Sequence, residues 1–429
     1  MKKYESYKDS GVGWIGEIPS HWSCVKIKHL LRERVDKSED GIGEPLSMSQ
    51  KYGLIPTSQM DVVPNLATSY VGAKRTRQGD MVLNKLKAHL GVFALSAYDG
   101  LVSPDYAVYY GTGRADLEYL EYLFKTPLYV SEFIKKTTGV AIGFNRLYTD
   151  DLFSIPAHYP PMQEQKRIVD YLKDKTLKIE QYVSARERGR ELLDSLKQSE
   201  IANVVTKGLN PNVRMKDSGI PWIGMIPEHW ETRTLSQMAR VHFISNKNVH
   251  HQNLLSLSYG KIVCKDINTT EGLLPASFDN YQIVEDGNIV LRLTDLQNDH
   301  KSLRVGLSTQ EGIITSAYLA IEAFTGILPK YLYFLLHSID VKKVFYSMGN
   351  GLRQSLNWTE LRKLKCIVPP ILEQQAIVDY IEAKLSKIDS CMADLQTEID
   401  YLKEFKQRLI SDVVTGQICV AEPQKGEQQ

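Results

Sequence analysis

The chain has 429 residues, room for two or three domains, and its 52 lysines and arginines against 51 aspartates and glutamates leave a net charge of +1. A balance so close advertises neither nucleic acid nor membrane as a partner, although it can hide local patches, and no apolar run approaches the roughly eighteen residues of a spanning helix. Cys24, Cys264, Cys366, Cys391 and Cys419 lie far apart with no C-x-x-C pair, which argues against a disulfide framework or zinc site. Reduced thiols and the absence of a signal peptide in "MKKYESYKDS" point to a cytoplasmic protein.

The first landmark is "DSGVGWIGEIPSHW" at 9–22, whose Gly11–Gly16 segment matches the dinucleotide pattern G-x-G-x-x-G. That pattern needs a strand before it and a helix after it, and here a polar run precedes and Pro19 follows. The stretch returns at 217–230 as "DSGIPWIGMIPEHW", identical at ten of fourteen positions, with Pro221 where Gly13 stood. A phosphate loop cannot exchange its central glycine for proline and keep its backbone against a pyrophosphate. The segment therefore reads as a turn-rich packing box with Trp14, Ile15, Ile18 and Trp22 as anchors.

After this box comes a β-rich middle at 79–110, an amphipathic helix "LEYLEYLFKTP", a glycine-bearing loop "TTGVAIGFNR", and a close at Pro160-Pro161. The second copy repeats the order with 287–322, "KYLYFLLHSID", "MGNGLRQSLN" and Pro369-Pro370. Both fronts read as mixed α/β domains. Local charge gathers in their loops: Lys74, Arg75, Arg77, Lys85 and Lys87 face a single Asp80, five minus one or +4, with Asn84 and His89 among them. Asn145 and Arg146 close the first glycine loop. The second copy offers Arg292, Asn298, His300, Lys301 and Arg304, with Arg353 and Gln354 in its glycine loop. Such side chains carry the donors that read base edges, and their charge suits phosphates, so these sixteen positions form a candidate DNA-facing surface.

Each copy ends in a long helix. "PPMQEQKRIVDYLKDKTLKI" at 160–179 returns as "PPILEQQAIVDYIEAKLSKI" at 369–388. In the second, Ile377, Ile381, Leu385, Ile388, Met392, Leu395, Ile399 and Leu402 follow steps of three and four, a heptad seam. In the first, Ile168, Leu172, Ile179, Val183 and Leu193 hold the same seam, while Thr176, Arg186 and Arg190 interrupt it. Neither stripe can be buried alone, so the two helices are expected to pack on each other, more loosely at the arginines. The divisions are 1–160, 161–210, 211–370 and 371–420, with a tail at 421–429 expected to be disordered.

Catalytic alternatives lack their residues. The diprolines read "YPPM" and "VPPI", without the Asp or Asn of an adenine methyltransferase loop; no Walker A string occurs; and the adjacent His250 and His251 have no metal-binding spacing around them. Two readings other than DNA recognition remain at this point: a coiled-coil scaffold that binds only proteins, and a nucleotide-dependent enzyme.

A duplicated unit that opens "D-S-G-x-x-W-I-G-x-I-P-x-H-W" and closes "P-P-x-x-E-Q-x-x-I-V-D-Y" resembles the specificity subunits of type I restriction-modification systems over nearly the whole chain. The resemblance implies an α/β (α+β) architecture of two repeated target recognition domains separated by two long antiparallel coiled-coil helices with pseudo-twofold symmetry. It implies no catalysis and no directly bound cofactor or metal. Each front would read one half of a bipartite double-stranded DNA target. Two modification subunits would bring S-adenosylmethionine to adenines, and restriction subunits would bring ATP and magnesium.

Overall fold

The computed structural model describes residues 2–49, 52–61, 69–138, 145–248, 251–267, 275, 277–296, 299, 302–348 and 355–420, so the tail at 421–429 lies outside the described residues. The chain divides into two compact units, one formed by Met1–Arg186 with Thr397–Gln429 and the other by Glu187–Gln396. Among the described residues seven α-helices are formed: α1 (Leu117–Phe124), α2 (Pro127–Lys136), α3 (Thr149–Ser154), α4 (Met162–Lys207), α5 (Pro329–Val341), α6 (Trp358–Leu361) and α7 (Ile371–Val414). At about 1.5 Å per residue, α4 and α7 extend roughly 65–70 Å. Among the described residues no helix is long and apolar enough to cross a membrane.

The first unit is organised by a four-stranded antiparallel sheet in the order Leu31–Glu33, Tyr106–Gly111, Met81–Asn84, Phe93–Leu95. The second unit repeats that order with Ala239–Val241, Leu319–Ala323, Ile289–Leu291 and Val305–Leu307. A two-stranded ribbon joins Ser23–Lys26 to Pro156–Tyr159, and its counterpart joins Glu231–Thr234 to Lys365–Val368. Helices cover one side of the sheet, so each core is a layer of aromatic and aliphatic side chains: Trp22, Phe93, Tyr119, Phe124, Tyr129 and Phe133 in one unit, Trp230, Tyr331, Leu335 and Phe345 in the other. Antiparallel sheets with segregated helices make this an α+β arrangement.

The opening box is the turn between two short strands, Tyr7–Asp9 and Glu17–Pro19, in place of the strand-to-helix turn that a dinucleotide loop needs. Gly11 and Gly16 take φ of 75° and 73°, and Gly219 and Gly224 take 66° and 73°, so these are the positions that require glycine. Gly13 has no such conformation, which explains why the second copy tolerates Pro221 there. Ile18 and Trp22 are fully buried, whereas Trp14 and Ile15 are half-buried and lean on the core.

Within each unit one stretch of α4 pairs with one stretch of α7, and the direction follows from the numbering. Glu180 meets Lys406 and Arg186 meets Glu398 at 2.8 Å in the first unit. Lys197 meets Asp389 at 2.6 Å and Glu200 meets Tyr380 at 2.7 Å in the second. Residue numbers rise on one helix as they fall on the other, so the pairing is antiparallel. Ile168, Leu172, Ile179, Ile377, Ile381, Ile388 and Ile399 are buried; Val183, Leu193, Leu385, Met392, Leu395 and Leu402 are half-buried. The interruptions are bridged by polar contacts: Thr176 returns its hydroxyl to the Leu172 carbonyl at 2.6 Å, and Arg190 donates to Gln396.

Buried histidines occur in both units, His158 in the first and His242 and His337 in the second, and two of them are held by side-chain hydrogen bonds. His158 lies stacked against Trp22 with ring centroids 5.8 Å apart, its Nε2 donating to the Val414 carbonyl at 3.1 Å and its Nδ1 3.1 Å from the Tyr129 hydroxyl. His337 donates through Nε2 to Gln198 at 2.6 Å. Burial depresses both from the ordinary 6.5 to about 4. Both are thus neutral when folded, so their contribution is present above pH 6.5 and is lost as pH falls from 6.5 toward 4, where the unfolded chain takes up protons the folded one refuses. We expect the thermal midpoint to drop across that window, with His158 alone responsible for about 3 kcal/mol. His158→Gln, which cannot titrate, should flatten the dependence; an equally steep decline in the variant would show that other groups carry it.

Candidate nucleic-acid interface

In the first unit the strand Met81–Asn84 runs into a 3₁₀ segment, Lys85–Leu90, capped by the Asn84 side chain accepting from the Leu86 amide at 3.2 Å. The glycine loop is closed at its base by a backbone pair between Thr138 and Arg146, at 3.0 and 2.9 Å. The residue after it, Leu147, donates its amide to the Lys85 carbonyl at 3.2 Å. This stitch brings the two candidate loops side by side. Lys85 is held below its usual lysine range by burial and next by the charge of Lys74, with Arg146 adding to the effect and Glu33 and Asp105 opposing it. Lys74, Lys85 and Arg146 thus form one electrostatic group.

The +4 counted along the sequence does not survive folding. Lys74 is almost wholly buried and lies 3.5 Å from Glu33, Arg75 pairs with Asp40 at 2.9 Å, and Arg146 pairs with Asp105 at 3.1 Å. Asp80, the one acid counted, accepts a two-point contact from Arg34 at 2.7 and 2.9 Å and also the Arg77 amide. Asn84 is buried and occupied as a cap. Arg77, Lys87 and Asn145 remain exposed. The acids come from segments far away in sequence, which is why a local charge window missed them.

The second unit requires a larger correction, at Arg304. It is fully buried, and each of its guanidinium nitrogens has an acceptor. Nε donates to the Tyr346 hydroxyl at 3.0 Å, Nη1 to the carbonyls of Arg292 and Thr294 at 3.2 and 2.8 Å, and Nη2 to those of Asp295 and Asp299 at 3.1 and 2.6 Å. Arg304 has no reach to DNA; it holds the loop that Arg292 begins. Arg292 itself is half-exposed, 3.7 Å from Asp299. The stitch seen in the first unit recurs, with the Leu356 amide donating to the Leu293 carbonyl at 2.9 Å. Asn298, His300, Lys301, Arg353, Gln354 and the His89 side chain lie outside the described residues.

The motif "E-Q" after each diproline proves to be a clasp that sequence reading used only as a repeat marker. Glu164 accepts from Tyr4 at 2.6 Å and Trp22 at 3.2 Å and meets His21 at 2.7 Å; Glu373 accepts from Trp230 at 2.9 Å and meets His229 at 2.6 Å. Gln165 takes the Asp116 amide at 2.7 Å and gives its own amide to the Pro160 carbonyl at 2.7 Å, and Gln374 repeats this with Leu328 and Pro369, both at 2.9 Å. The pair thus ties the H-W box and the amphipathic helix to the start of the long helix. Its signal was the survival of the same two polar residues in copies that differ almost everywhere between their landmarks.

No family model matches the chain. Over 97% of its length it is 21% identical to a Methanocaldococcus jannaschii protein described as the type I restriction enzyme MjaX specificity subunit, covering 98% of that protein. It is 24% identical to the MjaVIII specificity subunit of the same organism over 70% of both chains. Both relatives are described as specificity subunits of type I restriction enzymes, and the chain is similar to one of them over nearly its whole length. Its fold agrees: a chain from work on complex assembly and conformational transition of the type I restriction-modification system superposes with a TM-score of 0.67 at 14% identity, covering 94% of this chain and 99% of that one. The HsdS subunit from Thermoanaerobacter tengcongensis gives a TM-score of 0.50 at 14% identity, over 94% of this chain and 98% of that one.

Proposed function

We propose that each of the two sheet domains reads one half of a bipartite double-stranded DNA target and presents it to a modification subunit that methylates an adenine. One observation carries the reading: the same scaffold is built twice, and in each copy a backbone bond stitches the glycine loop to the turn after the same sheet strand, Leu147 to Lys85 and Leu356 to Leu293. The stitched loops carry different side chains in the two copies, the arrangement expected of two readers with different half-sites. Exposed Arg77, Lys87 and Asn145, with half-buried Lys85, supply the first reader, and Arg292 and its loop the second. The relatives' membership of restriction enzymes supports double-stranded DNA as the partner.

Two modification subunits, one per repeat, dock on the outward faces of the long helices, where Leu177, Tyr182, Leu192, Tyr401 and Phe405 are exposed. S-adenosylmethionine enters with them, and ATP and magnesium enter with the restriction subunits; the assembly works in the cytoplasm.

The test is co-expression with the modification subunits followed by single-molecule mapping of methylated adenines. Lys85→Ala with Lys87→Ala should weaken or relax one half of the motif and Arg292→Ala the other. Removing a side chain that reads a base should cost about 1–3 kcal/mol, and removing one that touches only phosphate should leave the sequence preference unchanged. If either change altered both half-sites alike, the two-reader reading would be wrong.

A further inference from the structure

Outside the stitched loops, both units carry a short hairpin with the same dipeptide at its tip. In the first, Leu46–Ser49 pairs with Gly53–Pro56 and Tyr52 precedes Gly53; in the second, Leu255–Ser258 pairs with Lys261–Cys264 around Tyr259-Gly260. Tyr259 is 83% exposed and Tyr52 44%. Tyr259 and Gly260 both sit in the left-handed region, at φ 46° and 76°. A two-residue turn of that kind favours Asn-Gly, and a bulky residue at its first position is a true outlier. Strain of this sort persists where the surroundings hold it and where it serves a site.

The surroundings do hold it, against the candidate interface. A Cβ at Gly260 would lie 3.0 Å from Leu303, the neighbour of Arg304, and the Gly260 carbonyl accepts from Tyr333 at 3.4 Å. The glycine is thus pressed on the loop that Arg304 organises while the ring before it stands in solvent. In the first unit Tyr106, which pairs across the sheet with Asn84, packs into the apolar cluster formed by Leu46, Met48 and Leu54 of the hairpin, tying that hairpin to the strand that runs into the Lys85 turn. We propose that Tyr52 and Tyr259 are DNA-contacting residues, each ring held out on a braced hairpin to pack against a base of its own half-site. This rests on the DNA-reading role proposed above. An aromatic face suits a base that has lost a stacking neighbour, as happens beside an adenine turned out for methylation.

The experiment uses the chain assembled with its modification subunits and duplexes carrying the motif that the wild-type complex methylates, with 2-aminopurine placed in one half-site at a time. Tyr259→Asn suits the turn better than tyrosine, so its thermal midpoint should equal or exceed that of the wild type. Its affinity for the motif duplex should nevertheless fall about tenfold or more. The 2-aminopurine response should vanish in one half-site only, Tyr259→Trp should retain it, and Tyr52→Ser should silence the opposite half-site. Wild-type affinity and fluorescence in Tyr259→Asn and Tyr52→Ser would overturn the proposal while leaving DNA reading intact. So would a lowered midpoint in Tyr259→Asn with a binding loss that Tyr259→Trp shares. A wild-type complex without motif preference would instead overturn the two-reader function, and this proposal with it.

Discussion

Replacing Arg304 by methionine should release the loop from residue 292 to 304 and destabilise the second unit by about 3–5 kcal/mol, the usual result of removing one partner from a buried charged network. Methionine fills most of the volume but supplies no donor, and the carbonyls of Arg292, Thr294, Asp295 and Asp299 are deprived of the guanidinium they now share. Each carbonyl left dry costs about 1–3 kcal/mol, and the loop escapes part of that by opening to water. Lysine is not a conservative exchange here: one ammonium with three donors cannot span four carbonyls and a hydroxyl that five fixed N–H groups serve. Arg304→Lys should therefore fall between Arg304→Met and wild type. In calorimetry the transition belonging to the Glu187–Gln396 unit should move down by about 10 °C. In hydrogen exchange the amides of residues 302–308 should become less protected, and methylation mapping should show the second half-site relaxed and the first retained. Undisturbed protection in Arg304→Met would mean that the loop is held by something else.

Arg304 also shows where sequence legibility ends. As a string, an arginine in a basic hairpin is the same whether it faces solvent or supports the loop from within; only the carbonyls of Arg292, Thr294, Asp295 and Asp299 gathered around it decide. Lys74 and Arg75 fail as free cations for a related reason, since Glu33 and Asp40 arrive from a strand and turn about forty residues upstream. The scaffold was readable because its signals are periodic or duplicated. A seam in steps of three and four survives inspection along one dimension, and a repeat of about 210 residues exposes which landmarks the fold needs. The turn glycines illustrate this well: comparing the two copies separated Gly11 and Gly16, which need positive φ, from Gly13, which does not. Tyr52 and Tyr259 were legible in the same way, as a Tyr-Gly pair kept in two otherwise different hairpins, but without the turn geometry nothing marked them as exposed.

Lengthening both long helices should lengthen the unread spacer between half-sites without changing the half-sites themselves. Four helix-forming residues inserted after Leu196 extend α4 by about 6 Å, close to two base pairs of B-DNA at about 3.4 Å each. An insertion in α4 alone would not be a clean test, because the antiparallel register fixes what must follow. Lys197 faces Asp389 and Glu200 faces Tyr380, while Arg190 faces Gln396. Four extra residues between Arg190 and Lys197 would slide one set of these pairings past the other by a full turn. A matched insertion in α7 after Ser390 preserves both sets, since it falls opposite Leu196 in the same register. Four residues rotate a helix about 40° beyond one turn, and a stutter of that size is absorbed by local unwinding of the seam. The doubly extended chain should therefore assemble, keep both half-site sequences in methylation mapping, and recognise a spacer one or two base pairs longer. The single α4 insertion should lower the thermal midpoint and abolish activity. An unchanged spacer in an active, doubly extended complex would show that the helices do not set the distance between the two readers.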